Sequence, residues 1–131
     1  PRTMQENPLT AEPCLEDVQS FFSRCSDYLS KLGFKHSQIY LDPGIGFGKD
    51  DQANLTLIQH AYKFSDCYNL LYGISRKSFI GRLFDIAPPA ERDAISKVYE
   101  LALIQQGVKI IRTHNVGLLK DILGKLDGGT L

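Results

Sequence analysis

The chain has 131 residues, with 15 basic and 15 acidic side chains and a formal charge of zero. That balance gives no long-range field of the kind that draws nucleic acid or an anionic membrane, so neither is an expected partner. The apolar runs are only a few residues long, too short for a membrane span.

The length suits one modest domain with a real core. No signal peptide is visible. Cys14, Cys25 and Cys67 lack metal-ligand spacing, and an odd count reads as reduced, cytosolic thiols. A cytoplasmic protein is expected, and Asn54-Leu55-Thr56 then has no meaning as a glycosylation signal. The chain starts at Pro1 rather than Met, which suggests a fragment or a processed product.

Residues 1–13 are polar and carry three prolines, so they read as a loop or linker. From Leu15, apolar residues fall at Val18, Phe21, Phe22, Cys25, Tyr28, Leu29 and Leu32, which predicts a helix that Gly33 stops. The aromatics Phe21, Phe22 and Tyr28 are read as core or partner-facing. A strand is predicted over 38–41, followed by the loop Asp42-Pro43-Gly44-Ile45-Gly46-Phe47-Gly48-Lys49. Asp50 and Asp51 cap a second helix, expected to run through Leu55, Ile58, Ala61, Tyr62 and Phe64. A second strand is predicted at about 69–74, then Ser75-Arg76-Lys77-Ser78 and a short helix carrying Phe79, Ile80, Leu83 and Phe84. Pro88-Pro89 breaks that helix. Ala90 or Glu91 opens a longer one, expected to bury Ile95, Val98, Tyr99, Ala102 and Leu103 and to stop before Gly107. Residues 108–113 form the third strand, with His114-Asn115 at its end. The last helix runs from about Gly117 to Leu126, with Leu118, Leu119, Ile122 and Leu123 on one face and a loose tail beyond. Strands separated by helices pair in parallel. The fold class is therefore α/β, closed either as a small open sheet or as a piece of a (β/α)8 TIM barrel, which needs roughly 250 residues in full.

Polar groups collect after all three strands: Asp42, Phe47 and Lys49, then Ser75 to Ser78, then Arg112 and His114. In parallel α/β folds these ends share one crevice. Ser75-Arg76-Lys77-Ser78 is either a site for an anion or an electron-rich heterocycle, where free helix N–H groups act with Arg and Lys, or a solvated capping segment. Arg112 and His114, two apart, share a face of a regular strand. They suit phosphate or pyrophosphate, or else are a surface Arg and a helix-capping His. Asp42 either ends the strand before Pro43 or accepts hydrogen bonds from a ligand's N–H groups. Phe47, between glycines, is either exposed by chance or a wall for a flat substrate. Gly46 and its neighbours let backbone come close to a ligand. Lys49 reads as an ordinary solvated lysine, and His36 and His60 have no special role.

Leu41 to Lys49, then Gly73-Ile74-Ser75-Arg76-Lys77-Ser78-Phe79-Ile80-Gly81, then Ile111-Arg112-Thr113-His114-Asn115-Val116 together resemble dihydropteroate synthase. The three motifs stand in that family's order, each at a strand end. Pro1-Arg2-Thr3-Met4-Gln5 resembles the segment after the family's fifth strand. The resemblance covers the whole chain but only the C-terminal half of the enzyme. It implies that residues 1–131 are the C-terminal portion of a pterin-binding TIM barrel, with about three parallel strands and four to five helices.

The implied reaction joins a dihydropterin, activated as its methyl pyrophosphate, to p-aminobenzoate, and releases pyrophosphate in folate biosynthesis. On that resemblance Arg112 and His114 stabilise the leaving pyrophosphate, Lys77 holds the pterin side near the line of attack, and Asp42 binds the pterin's polar edge. Gly46, Phe47 and the backbone at Ser78 help form the p-aminobenzoate pocket, where sulfonamides compete, with Arg76 in support. Magnesium accompanies the pyrophosphate, with ligands mostly from outside this chain. Asn115 stands where the family usually has Asp. The family's first-strand Asn and its middle-strand pterin ligands would lie upstream of Pro1. The chain alone is thus expected to be inactive, and a homodimer is the expected assembly because three strands cut from a barrel leave open edges. Two other readings are a pterin-dependent methyltransferase barrel, which needs no pyrophosphate clamp, and a non-catalytic association fragment.

Overall fold

Helix α1 (Ala11–Lys31) forms where apolar residues recur every three or four positions. Cys14, Val18 and Phe22 make its buried stripe, with Leu15, Cys25 and Leu29 half-buried beside it. In the computed structural model, which describes residues 10–127, the helix begins earlier than the expected loop allows. Pro13 falls in its first turn, where the missing N–H has no intrahelical acceptor to lose. The rest of the expected linker, residues 1–9, and the tail 128–131 lie outside the described residues. Phe22 sets its ring edge against Phe64 and Tyr68, each with centroids 5.5 Å away. Phe21 and Tyr28 stay exposed.

Strand β1 (Tyr40–Leu41) is shorter than predicted, because His36–Gln38 closes a 3₁₀ turn in which Gln38 Oε1 accepts the Lys35 N–H. Helix α2 (Asp51–Gln59) starts at Asp50, whose carboxylate accepts the Ala53 N–H at 2.7 Å. The expected continuation through Phe64 breaks instead, and α3 (Tyr62–Ser65) is a separate turn. The break is stabilised from a distance: Gln106 Nε2 donates to Ile58 O at 2.7 Å and its Oε1 accepts the Tyr62 N–H at 3.0 Å.

Strand β2 (Asn69–Tyr72) is central and almost continuously buried, as a strand covered on both faces requires. Helix α4 (Ser78–Phe84) follows, then a 3₁₀ turn (Pro89–Arg92), helix α5 (Asp93–Gln105), strand β3 (Ile110–Ile111) and helix α6 (Val116–Asp127). The longer helix therefore begins at Asp93, two or three residues past the expected opening at Ala90 or Glu91, since the two prolines favour the tighter turn. Pairing is parallel throughout, in the order β1-β2-β3, with Leu41 opposite Leu70 and Tyr72 opposite Ile111. The ladder reaches past β3, where the Arg112 N–H donates to Tyr72 O at 2.9 Å.

The buried face of α5 differs from the expected one. Val98 is 63% exposed, while Asp93, Ser96, Lys97, Glu100 and Leu103 turn inward. Ile95 and Tyr99 only flank the core. The inward polar groups all find partners, although Glu100 Oε2 has the Lys97 ion pair and no hydrogen bond. Lys97 Nζ donates to Thr113 Oγ1 and to His114 O, both at 2.7 Å, and lies 3.3 Å from Glu100 Oε2. Thr113 donates its hydroxyl to Glu100 Oε1. Such a pair is tolerated in a dry core only because each charge has a partner and further hydrogen bonds. Lys97→Met is expected to lower unfolding free energy by about 3–5 kcal/mol, since it strands the Glu100 charge. Val98→Ala, on the opposite face, is expected to stay within about 0.5 kcal/mol. Urea unfolding of both variants checks the pair.

Candidate active site

The loop after β1 is a stapled structure. Lys49 does not extend into solvent: its ammonium donates to the carbonyls of Gly44 and Phe47, both at 2.9 Å. Burial pushes its pKa below the ordinary lysine value. Asp42 Oδ1 accepts the Gly44 N–H at 2.8 Å, which makes an Asx turn and leaves the carboxylate exposed at the rim. Buried Asn54 accepts the Gly46 N–H at 2.9 Å and ties the loop to α2.

Lys77 reaches this loop from the end of β2. Its Nζ donates to Ile45 O and stands 5.0 Å from the centre of the Phe47 ring. Gly46 is needed below it: the backbone there has φ of +85°, and a Cβ would come within 3.2 Å of Lys77 Cδ. Burial lowers the Lys77 pKa; nearby Asp42 pulls it back up, while Arg112 and Lys49 push it down.

Lys77, Arg112 and His114 meet on one cavity of about 330 Å³, lined also by Gly73, Ser75 and Thr113. Gly73 gives the Arg112 guanidinium its place, since a Cβ there would lie 3.1 Å from Nε. Ser75 Oγ accepts the His114 backbone N–H at 3.0 Å and lies 3.0 Å from Nδ1 of the same residue. When the Ser75 hydroxyl donates to Nδ1, the neutral imidazole carries its proton on Nε2, as a donor on the far edge of the ring.

Asp42 and Phe47 line a neighbouring groove of about 580 Å³, together with Pro43, Lys49 and residues of α1 such as Phe21 and Arg24. Lys77 is thus the junction between groove and cavity. Arg76 does not line the cavity: it turns back and pairs with Asp93, with Nε at 2.7 Å from Oδ1 and Nη2 at 3.0 Å from Oδ2. Ser78, exposed at the start of α4, borders a separate surface recess with Arg82 and Arg92. Sequence reasoning missed Gly73, Ser75 as the partner of His114, Lys49 as the loop's staple, and the inner face of α5. A signal for the last was present: Asp93, Lys97 and Glu100 recur at i, i+4 and i+7, a polar stripe at helical spacing.

Three parallel strand–helix units with both outer edges unpaired among the described residues form a segment of a β/α barrel. Its site lies where such barrels carry theirs, beyond the strand C-termini. The chain belongs to the pterin-binding enzyme family, which it matches over residues 1–114. It is 38% identical over 124 residues to the dihydropteroate synthase of Haemophilus influenzae, covering 94% of this chain and 44% of that one. The structure resembles dihydropteroate synthase from Stenotrophomonas maltophilia with a TM-score of 0.88, 29% identity, and coverage of 96% of this chain and 48% of that one. A dihydropteroate synthase of Xanthomonas albilineans, solved with 7,8-dihydropteroate, matches with a TM-score of 0.85, 26% identity, and coverage of 94% and 50%. The chain therefore spans about half the length of the relatives it matches.

The Arg76 hydrogen bonds hold the Asp93 carboxyl below the usual carboxylate range, with smaller help from Asn115. A depressed carboxylate stabilises the fold fully above the unfolded pKa of about 3.9 and loses that contribution as pH falls through the lower folded value. Asp93→Asn is expected to flatten the acid limb of stability below about pH 4 while leaving its shape near neutrality unchanged. Unfolding followed from about pH 5 to pH 2 checks this.

Proposed function

We propose that this chain is the C-terminal portion of a dihydropteroate synthase barrel and supplies about half of that enzyme's site. The observation that carries this reading is the convergence of Lys77, Arg112 and His114 on one small cavity. Three cationic or donor groups around a cavity of that size suit a pyrophosphate. They also favour this reaction over methyl transfer, which develops no such anion.

In the proposed reaction the pterin methylene carbon loses its bond to pyrophosphate oxygen, and the electron pair leaves with the anion. Arg112 and the His114 Nε2–H stabilise that growing charge. The arylamine nitrogen of p-aminobenzoate gives its lone pair to the carbon and then releases a proton to solvent. Asp42 accepts N–H groups at the pterin's polar edge, and Lys77 spans the space between pterin and anion. Phe47 and the Gly46 backbone wall the p-aminobenzoate site, where sulfonamides compete, with the Ser78 end of α4 nearby. Arg76 supports the loop from behind. The bound product of the Xanthomonas albilineans relative supports these substrates.

Among the described residues no group of three or more His, Cys, Asp or Glu could hold a metal. The cationic cavity does not fit a divalent cation either, so the magnesium of this proposal would be held by pyrophosphate oxygens and by residues outside those described, and would supply charge neutralisation for the leaving anion. No described helix is long and apolar enough to cross a membrane. A cytoplasmic homodimer belongs to the same proposal.

Calorimetric titration with inorganic pyrophosphate tests the reading. The 131-residue chain is expected to bind it, and Arg112→Ala to weaken binding at least tenfold, as loss of a charge-assisted bond worth about 1.5–3 kcal/mol requires. Turnover is expected to be absent in this chain by itself. A lack of pyrophosphate binding overturns the cavity's assignment, and dihydropteroate formation by the isolated chain overturns the half-site.

The pH dependence has a defined sign. Only protonated Lys77 attracts the anion, and burial lowers its pKa. Affinity is expected to fall as pH rises, beginning below the ordinary lysine value of about 10.4. Lys77→Arg should remove that limb, because guanidinium keeps its proton throughout. Titrations at a series of pH values read this out.

A further inference from the structure

The loops after β2 and β3 each contain a residue that is not glycine yet has left-handed backbone. Arg76 has φ of 60° and Asn115 has φ of 50°. Side chains rarely accept that conformation, so each must be held by its surroundings. One carboxylate holds both. Asp93 takes the Arg76 guanidinium with both oxygens, at 2.7 and 3.0 Å, and its Oδ2 also accepts the Asn115 amide at 3.4 Å.

Arg76 immediately precedes Lys77, and Asn115 immediately follows His114, so the tether lies one residue behind each cavity group. Neighbours on the same side reinforce it. Arg92 Nη1 donates to Arg76 O at 2.8 Å, the Arg76 N–H donates to Ser96 Oγ at 3.3 Å, and Lys97 Nζ donates to His114 O. Across the cavity, Ser75 holds His114 directly.

We propose that Asp93 is a positioning residue: it ties the β2 loop to the β3 loop and thereby sets the spacing of Lys77 and His114 across the cavity. Its hydrogen bonds go to Arg76 and Asn115 and not to the cavity's lining groups, and it acts through those two residues. The proposal rests on the reading of the cavity as a pyrophosphate site for its consequence in binding, but not for the tether itself.

Two amides report on the two loops. The Lys77 N–H donates to Ile74 O and the His114 N–H to Ser75 Oγ, so both exchange slowly when their loops are in place. Hydrogen exchange by NMR is measured on the ligand-free 131-residue chain, on Asp93→Asn and on Asn115→Gly. The second variant removes the amide from the exposed loop while keeping the left-handed backbone, and tests the same contact should the first not fold. In each variant exchange at both amides is expected to quicken tenfold or more, and by clearly more than at the α1 amides, which follow global stability. A change confined to one loop, or an equal change in every amide, overturns the proposal.

Inorganic pyrophosphate titrated into the same proteins gives the second arm. Asp93→Asn is expected to bind at least tenfold more weakly, and an affinity equal to that of the unaltered chain overturns the proposal. If the unaltered chain binds no pyrophosphate while both amides respond together, the assignment of the cavity falls and the tether stands.

Discussion

Because β1, β2 and β3 pair in parallel, every strand leaves the sheet on the same side, and whatever follows each strand is delivered to one rim. This is the constraint on which the site depends. The strands themselves are short, two to four residues each, and contribute little beyond register and direction. The chemistry sits in the turns they launch. Lys77 leaves β2 and crosses to the β1 loop, while Arg112 and His114 leave β3 and face it.

Delivery to one rim does not by itself give a defined geometry, since loops at strand ends are the least constrained part of such a fold. Here the loops are held from beneath. The inner face of α5 presents Asp93, Ser96, Lys97 and Glu100, and each bonds to a strand-end loop or to a partner that does. An apolar face would have packed as well but could not have fixed the backbone of Arg76 or His114. The polar face costs desolvation and returns orientation, which is the use that buried polar groups are best suited to. The neighbouring β1 loop follows the same logic on a smaller scale. Lys49 gives up solvent to bond two carbonyls of its own loop, and Asn54 secures it to α2.

The groove and the cavity divide the tasks. Around the cavity, cations and donors gather where an anion is proposed to leave. Along the groove, a carboxylate and a ring stand where flat, hydrogen-bonding ligands are proposed to lie. Lys77 lines the cavity and meets the groove through the Phe47 ring beside it, bound to the Ile45 carbonyl, and its lowered pKa reflects burial there.

Much of this was legible in the residues alone. Periodicity placed α1, α2 and α6, because an amphipathic helix writes its core face into the spacing of its apolar residues. The parallel sheet followed from the alternation of strands and helices, and the three motifs at the strand ends marked the candidate site and the family they resemble. What the sequence could not supply were contacts between residues far apart along it. The break between Gln59 and Tyr62 depends on Gln106, more than 40 positions on. The buried face of α5 could not be read from hydropathy, since its apolar Val98 faces outward and its charges face in. Local physics determined the elements, their order and the candidate residues. Only the tertiary structure decided that Arg76 turns away to Asp93, that Lys49 closes its own loop, and that Lys77, Arg112 and His114 meet, because those outcomes depend on which distant partner satisfies each charge.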